Sequence, residues 1–409
     1  MDKDQSISRR HLLAGGMAVA VSAALPAELL ASAGAPYRLT KTEIEIFPRL
    51  APAGFSHFRI PSIVRTPSDQ LFVFCEGRYH LQDWGDTDII ARTSLDGGQT
   101  WRDLNCSVDQ TAIQSADADQ SAICRLVGDR KLGLPNPIGT HANWRNPTAV
   151  YAAGRMYMFV VVDQDGEWQK AVQSGRSKHS SRLFVLRTIN PEKEWAQRLM
   201  WSHPQEIRVP LDVRFAQFGP GRAIYNNGRI IIPAAAGGQS FCLLSDDLGE
   251  TFYMSKPAGR ATEHQVAVLR DNRLLMSKRA PTTQRFFVSK DNGNTWKRRR
   301  TNKTLTTPTV QTGLFVDHEQ RVLVTSPNHS KDRVDISLFY QQAGALNKPW
   351  SAPIPLEPDN RCRRKLFCRN LQGYSVIEQL SDKRIIVIYE DAKHGFRNRR
   401  INCAILEPR

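Results

Sequence analysis

The sequence predicts an all-β protein folded as a six-bladed β-propeller, and three observations carry that prediction. Beyond residue 36 the chain shows almost no 3.6-residue hydrophobic periodicity and many short strand-like runs. A small unit recurs six times: a strand, a tight turn, then a very apolar strand. An octet of turn-forming residues recurs three times along the repeat. Hairpin-connected units with a period of ~40–50 residues are the pattern of propeller blades around a central channel.

Ahead of the repeats, Ser8-Arg9-Arg10-His11-Leu12-Leu13 precedes a weakly apolar run to about Ala27 and then Ala31-Ser32-Ala33. That order matches a twin-arginine export signal with a small-residue cleavage site after Ala33. Residues 1–33 are therefore expected to be removed, leaving 34–409 as a single propeller domain in the periplasm or outside the cell. The apolar run is short and rich in Ala and Gly, which argues against a membrane anchor, and no later run is long enough to span a bilayer.

The six apolar strands start after residues 70, 155, 229, 273, 321 and 384, at intervals of 85, 74, 44, 48 and 63. The shorter intervals match one blade, and the longer ones place insertions near 105–145, 163–182 and 355–372. Asn-Gly and Asp-Asn at the turns accept the positive φ that a hairpin demands. An early strand at Thr42–Phe47 is expected to close the ring against the last strand, Ile401–Leu406.

The octet reads Ser94-Leu95-Asp96-Gly97-Gly98-Gln99-Thr100-Trp101, and returns as Ser245 to Phe252 and as Ser289 to Trp296. Each copy falls between the third and fourth strands of its unit. Its aspartate can accept hydrogen bonds from the turn's own backbone, its glycine takes a conformation other residues resist, and its aromatic residue pins the hairpin to the sheet. These are structural devices and carry no chemistry.

The formal net charge of +16 is compatible with acidic partners, whether nucleic acid, an anionic membrane surface or an acidic small molecule, but charge alone favours a generally basic surface. The charges of segment 1–33 cancel, so its removal leaves that balance unchanged. The runs Lys297-Arg298-Arg299-Arg300 and Arg361–Lys365 read as solvated loops, because no aromatic interleaving or nucleic-acid module accompanies them. Seven cysteines show no metal-binding spacing, and most read as small buried hydrophobes, not as a disulfide framework. No His, Cys or carboxylate cluster has metal spacing, and no cofactor is expected.

The octet is the Asp-box, and with Phe58-Arg59-Ile60-Pro61 ahead of it the chain resembles the bacterial exo-α-sialidase (neuraminidase) family over roughly residues 40–409. Asn146-Pro147-Thr148, Phe218-Gly219-Pro220-Gly221, Glu263-His264-Gln265, Ser277-Lys278-Arg279 and Gly373-Tyr374-Ser375 resemble further family segments in order. The resemblance implies hydrolysis of terminal α-linked sialic acid from sialylated glycoconjugates, with retention, through a tyrosyl-enzyme intermediate. It implies that Arg59, Arg279 and Arg333 hold the substrate carboxylate, for which guanidinium forks are suited. Arg361 and Arg369 compete with Arg333 for the third position.

Asp83 matches the acid/base, with Asp86 and Asp88 as near rivals, of which Asp88 precedes an apolar strand and reads rather as a turn anchor. Tyr374 matches the nucleophile and Glu263 its base. Most glycosidases pair two carboxylates, and sialidases are an exception in using a tyrosine nucleophile. A neutral phenol avoids the repulsion that an anionic nucleophile would meet at a carbon bearing a carboxylate. Glu390 matches the residue that orients Arg59, and Arg78 and Asn146 match pocket-lining positions. Arg222 departs from the smaller residues expected at its position and is expected to alter what the pocket accepts. The alternative reading is a non-catalytic Asp-box propeller that binds glycans or proteins, in which these side chains do not converge.

Overall fold

Six blades, three four-stranded and three with a fifth strand added, follow one another along the chain in the computed structural model, which describes residues 34–47, 55–79, 87–108, 124–126, 142–164, 181–208, 216–300, 302–357, 372–391 and 400–409. The blades belong to one unit, Pro36–Arg409. From the channel outward, blade 1 runs His57–Arg65, Leu71–Arg78, Thr87–Ser94 and Arg102–Asp103. Blade 4 runs His264–Val268, Leu274–Lys278, Arg285–Ser289 and Lys297–Arg298, and blade 5 starts at Gly313–Val316. Blades 2 and 3 start at Ala142–Ala152 and Ala216–Phe218.

Blade 6 is closed by the start of the chain. Its inner strands are Ser375–Gln379 and Ile385–Asp391, its third is Arg400–Pro408, and its rim strand is Tyr37–Glu45. The register runs from Tyr37 opposite Pro408 to Glu45 opposite Asn402. The closing strand thus begins earlier than expected, at Tyr37. The buried Tyr37 phenol donates to Asp317 Oδ2 of blade 5 at 2.7 Å.

The six apolar strands are all second strands of blades, and those of blades 1 and 6 are buried throughout. A blade packs against a neighbour on both faces, so alternation gives way to continuous apolar runs such as Leu71–Phe74 and Ile385–Ile388. The core accordingly divides into clusters between blades: Phe72 and Phe74 meet Trp195, Trp201 and Met158 between blades 1 and 2, and Ile388 and Ile386 meet Ile63 and Val73 between blades 6 and 1. The turns ahead of these strands hold left-handed residues, including Asp69, Asn227, Asn272, Gln320 and Lys383.

The three Asp-boxes do as their chemistry suggests. Asp96 Oδ1 accepts the amides of Gln99 and Thr100 at 3.0 and 2.9 Å, and the Ser94 hydroxyl accepts the Gly98 amide at 2.8 Å. Asp247 and Asp291 repeat this with Thr251 and Thr295. Gly98, Gly249 and Gly293 have φ of 87°, 85° and 93°. A Cβ there would face Cys403 and Ile386, Tyr157, or Leu244, all on the preceding blade. Each Asp-box therefore clips its blade to the one before it, at the channel end opposite the start of the inner strands.

Four details differ from the sequence reading or lie beyond it. Lys297-Arg298 is an exposed rim strand, because its backbone completes the blade 4 ladder, and is not a loop. Asp88 stands buried within a strand, opposite Gly77. Cys75, Cys242 and Cys403 are free and buried, but Cys106 is disulfide-bonded, a pairing that spacing alone does not disclose. Of the insertions, only flanks and the short strands Asn105–Val108 and Cys124–Leu126 are among the described residues, and residues 1–33 lie outside them. No helix of the described residues is long and apolar enough to cross a membrane.

Candidate active site

The inner strands all begin at one end of the channel, and that end gathers the candidate residues. Tyr374 lies immediately ahead of the inner strand of blade 6 and is buried. Its hydroxyl donates to Glu263 Oε1 at 2.5 Å; Glu263 stands immediately ahead of the inner strand of blade 4. Arg279, at the end of the second strand of blade 4, reaches Glu263 Oε2 at 2.6 Å and the Tyr374 hydroxyl at 3.4 Å. The Arg59 and Arg333 guanidinium groups lie 5.5 and 5.8 Å from the centroid of the Tyr374 ring. Three arginines from blades 1, 4 and 5 thus surround one phenol.

Burial, and then the Glu263 carboxylate, push the Tyr374 phenol far above its ordinary range, against the pull of Arg279, Arg333 and Arg59. The phenol is held neutral with a carboxylate in contact. Burial works against the Arg279 cation, but Glu263 and Tyr374 hold it above its usual value.

Glu390 is fully buried and lies beside Arg59, the residue it is expected to orient. It accepts Arg59 Nε at 3.2 Å and Nη2 at 3.3 Å, and the Ile60 amide at 2.8 Å. It also bonds the Tyr374 amide at 3.4 Å, so one carboxylate locates both an arginine and the candidate nucleophile. Gly373 makes this approach feasible, since a Cβ there would come 2.5 Å from Glu390 Oε2. Arg333 is placed by a bond from its Nη2 to the Thr309 carbonyl at 3.2 Å, and its own carbonyl accepts the Gln372 amide at 2.8 Å.

Arg78 and Asn146 form a neighbouring cluster around Glu76, which the sequence reading missed. Glu76 is fully buried; its Oε2 accepts Arg78 Nε at 2.7 Å and its Oε1 accepts the Asn146 amide at 2.8 Å. The arrangement copies that of Glu390. Both Arg59-Ile60-Pro61-Ser62 and Arg145-Asn146-Pro147-Thr148 break their inner-strand register, with φ of 57° at Ile60 and 50° at Asn146. In each, the strained residue gives its amide to a glutamate ending the apolar run of the preceding blade. The signal was present: LFVFCE at 71–76 aligns with IIVIYE at 385–390.

Arg222 does not join the site. Its guanidinium pairs with Glu378 Oε2 at 2.9 Å and lies over Phe315, in a cavity of ≈ 460 Å³ farther along the channel that Arg65 and Tyr225 also line. The reason is register: Arg222 stands opposite Ala149, beyond the inner-strand starts that carry Asn146 and Arg59. Asp83, its rival Asp86, and the competing Arg361 and Arg369 lie outside the described residues.

The family model for the BNR repeat-like domain matches residues 138–383. The chain belongs to that family. It is 24% identical to a sialidase of Micromonospora viridifaciens over 97% of this chain and 59% of that protein, and 24% identical to an exo-alpha-sialidase of Arthroderma benhamiae over 55% and 52%. The chain spans between half and three-fifths of the length of these relatives. Among solved structures it resembles a Hadza microbial sialidase, with TM-score 0.65, 18% identity and coverage of 87% of this chain and 66% of the other. It also resembles the intramolecular trans-sialidase of Ruminococcus gnavus, with TM-score 0.63, 15% identity and coverage of 89% and 97%. At such identities the structural likeness speaks for the six-bladed fold of this BNR-family member.

Proposed function

We propose that this BNR-family protein is a retaining exo-α-sialidase acting on sialylated glycoconjugates. The observation that carries the reading is the convergence of Arg59, Arg279 and Arg333, from three blades, on the Tyr374–Glu263 pair. In this reading the three guanidinium groups bind the carboxylate of the terminal sugar, with Glu390 keeping Arg59 in position. Asp83 gives its proton to the departing glycosidic oxygen. Tyr374 attacks the anomeric carbon as Glu263 takes the phenolic proton, forming a tyrosyl–sugar bond while the carbon–oxygen bond to the leaving group breaks. Asp83 then accepts a proton from water, which attacks the same carbon, and Glu263 returns its proton to the phenolate. Arg78 and Asn146, organised by Glu76, line the adjoining part of the pocket.

A test compares release of a fluorophore from an α-sialoside by the wild type and by Tyr374→Phe, and follows the anomer of the released sugar. Turnover by the wild type with the α-anomer formed first supports the reading. Binding without turnover by the wild type would favour the second reading, a non-catalytic Asp-box propeller. The twin-arginine segment, residues 1–33, extends the proposal to an enzyme working in the periplasm or outside the cell. Replacing Arg9 and Arg10 by lysine and following where the protein accumulates tests that part alone.

A further inference from the structure

On blade 4, the face turned toward blade 3 carries a row of cations with no acidic partner among the described residues. Lys278 stands opposite Arg285, and Phe287 opposite Arg298. The Arg299 amide donates to the Phe286 carbonyl at 2.9 Å, so the ladder continues and brings Arg300 level with Arg285. Directly opposed residues share one face of a sheet. Lys278, Arg285 and Arg300 therefore run outward from the second strand to the rim, with Arg298 beside them.

The three arginines are exposed, whereas Lys278 is buried. Its ammonium donates to the carbonyls of Ala258 and Gly259 at 2.7 and 2.9 Å, and lies 4.6 Å from the centroid of the Phe287 ring. Burial, then the nearby Arg285 charge, pull Lys278 down to about 8. Among the described residues, the ion pairs of this blade are Arg273 with Asp271 and Arg279 with Glu263, and none reaches the row. Other blades pair charges at their rims: Arg92 with Asp103, Arg182 with Glu206 and Arg38 with Glu407. Uncompensated like charges repel one another and concentrate mobile anions.

The row also begins at the candidate site, because Lys278 is the chain neighbour of Arg279. We propose that it is a docking track for an anionic glycan chain, whose repeated carboxylate or sulfate groups lie on Arg285, Arg298 and Arg300 while its terminal sugar occupies the site at Tyr374. The proposal rests on the sialidase reading and extends it from the terminal sugar to the chain that carries it. A glycan fits better than nucleic acid, since Phe287, the ring in the row, carries Lys278 over one face and packs against the core between blades 3 and 4 instead of standing free for base stacking.

The test uses the full chain and the triple variant Arg285→Ser, Arg298→Ser, Arg300→Ser. Binding is measured with labelled dextran sulfate, hyaluronan, neutral dextran and duplex DNA at two salt concentrations, the first two arms separating sulfate from carboxylate. The expected result is binding of at least one charged glycan, weakened roughly tenfold in the variant with a flatter salt dependence, and restored by the corresponding triple Lys variant. In parallel, kcat/KM on sialyllactose stays within about twofold of wild type, while that on a sialylated sulfated chain falls roughly tenfold. Equal binding of both charged glycans by wild type and Ser variant would overturn the track, and so would tighter binding of DNA than of either glycan. If the wild type turns over no sialoside, the sialidase reading falls, and the binding arm still decides whether the row takes an anionic glycan.

Discussion

The Tyr374 hydroxyl and Glu263 Oε1 are 2.5 Å apart although 111 residues separate them in the chain. Each stands immediately ahead of an inner strand, one on blade 6 and one on blade 4, and the bond spans the channel mouth. Burial keeps the phenol protonated, and the proposed mechanism needs the carboxylate where it stands, within reach of that proton. Glu263→Gln is therefore expected to lower kcat by about 10²–10⁴, the usual worth of a positioned base. Steady-state kinetics on an α-sialoside check this, and a variant with unchanged kcat would contradict the base assignment.

Glu390 joins Arg59 to Tyr374, to which the proposed function gives carboxylate recognition and nucleophilic attack. Glu390→Ala leaves Arg59 without this partner and is expected to cost about 3–5 kcal/mol of stability, read as a lower midpoint in denaturant. Gly373→Ala gives a subtler probe, because its added Cβ meets Glu390 Oε2. We expect a raised KM with the fold retained; wild-type kinetics in this variant would mean the Glu390 carboxylate can give way at no cost.

The Asp-boxes predict the opposite pattern. Asp96→Ala removes the acceptor of the Gln99 and Thr100 amides and of the Thr100 hydroxyl. Stability is expected to fall by about 1–3 kcal/mol, with kcat/KM per folded molecule unchanged. Denaturant melts together with kinetics on Asp96→Ala separate the two, and a kinetic defect without a stability loss would refute a purely structural role.

Glu357 supplies a pH dependence. Burial, then the charge of Asp391, push its carboxyl up to about 8, and its Oε2 accepts Gln372 Nε2 at 2.7 Å, two residues before Tyr374. A raised carboxyl means that the folded state retains a proton which the unfolded chain releases near its ordinary value. Stability from this group is thus complete at low pH and declines as pH rises from about 4.5 to about 8. Glu357→Gln should flatten the melting temperature across that window and raise it at the alkaline end. An unaltered slope would show that Glu357 ionises normally.

Much of this was legible because propeller blades repeat. Strand starts at 71, 155, 229, 274, 321 and 385 follow from apolar runs bounded by turn residues, and Gly98, Gly249 and Gly293 declare the Asp-box turns. Glu76 escaped notice although it occupies in blade 1 the place of Glu390 in blade 6, because Glu76 belongs to no Asp-box or arginine motif and only comparison of the repeats exposes it. Arg222 misled for a related reason: its neighbours Gly219-Pro220-Gly221 mark an inner strand, but not how far along the channel the side chain falls.

Hydrophobic pattern and turn chemistry in the chain alone determined that there are six blades, and the resemblance to the sialidases supplied the residues expected at one site. Such local signals act within one hairpin, over a few residues. Only the closed ring decided that Arg59, Arg279 and Arg333 meet around Tyr374, that Glu263 receives its hydroxyl, and that Arg222 turns instead to Glu378. Those contacts join residues tens to hundreds of positions apart, and their distances depend on strand register and on the packing of apolar faces between blades, which set the angle at which each blade presents its first strand.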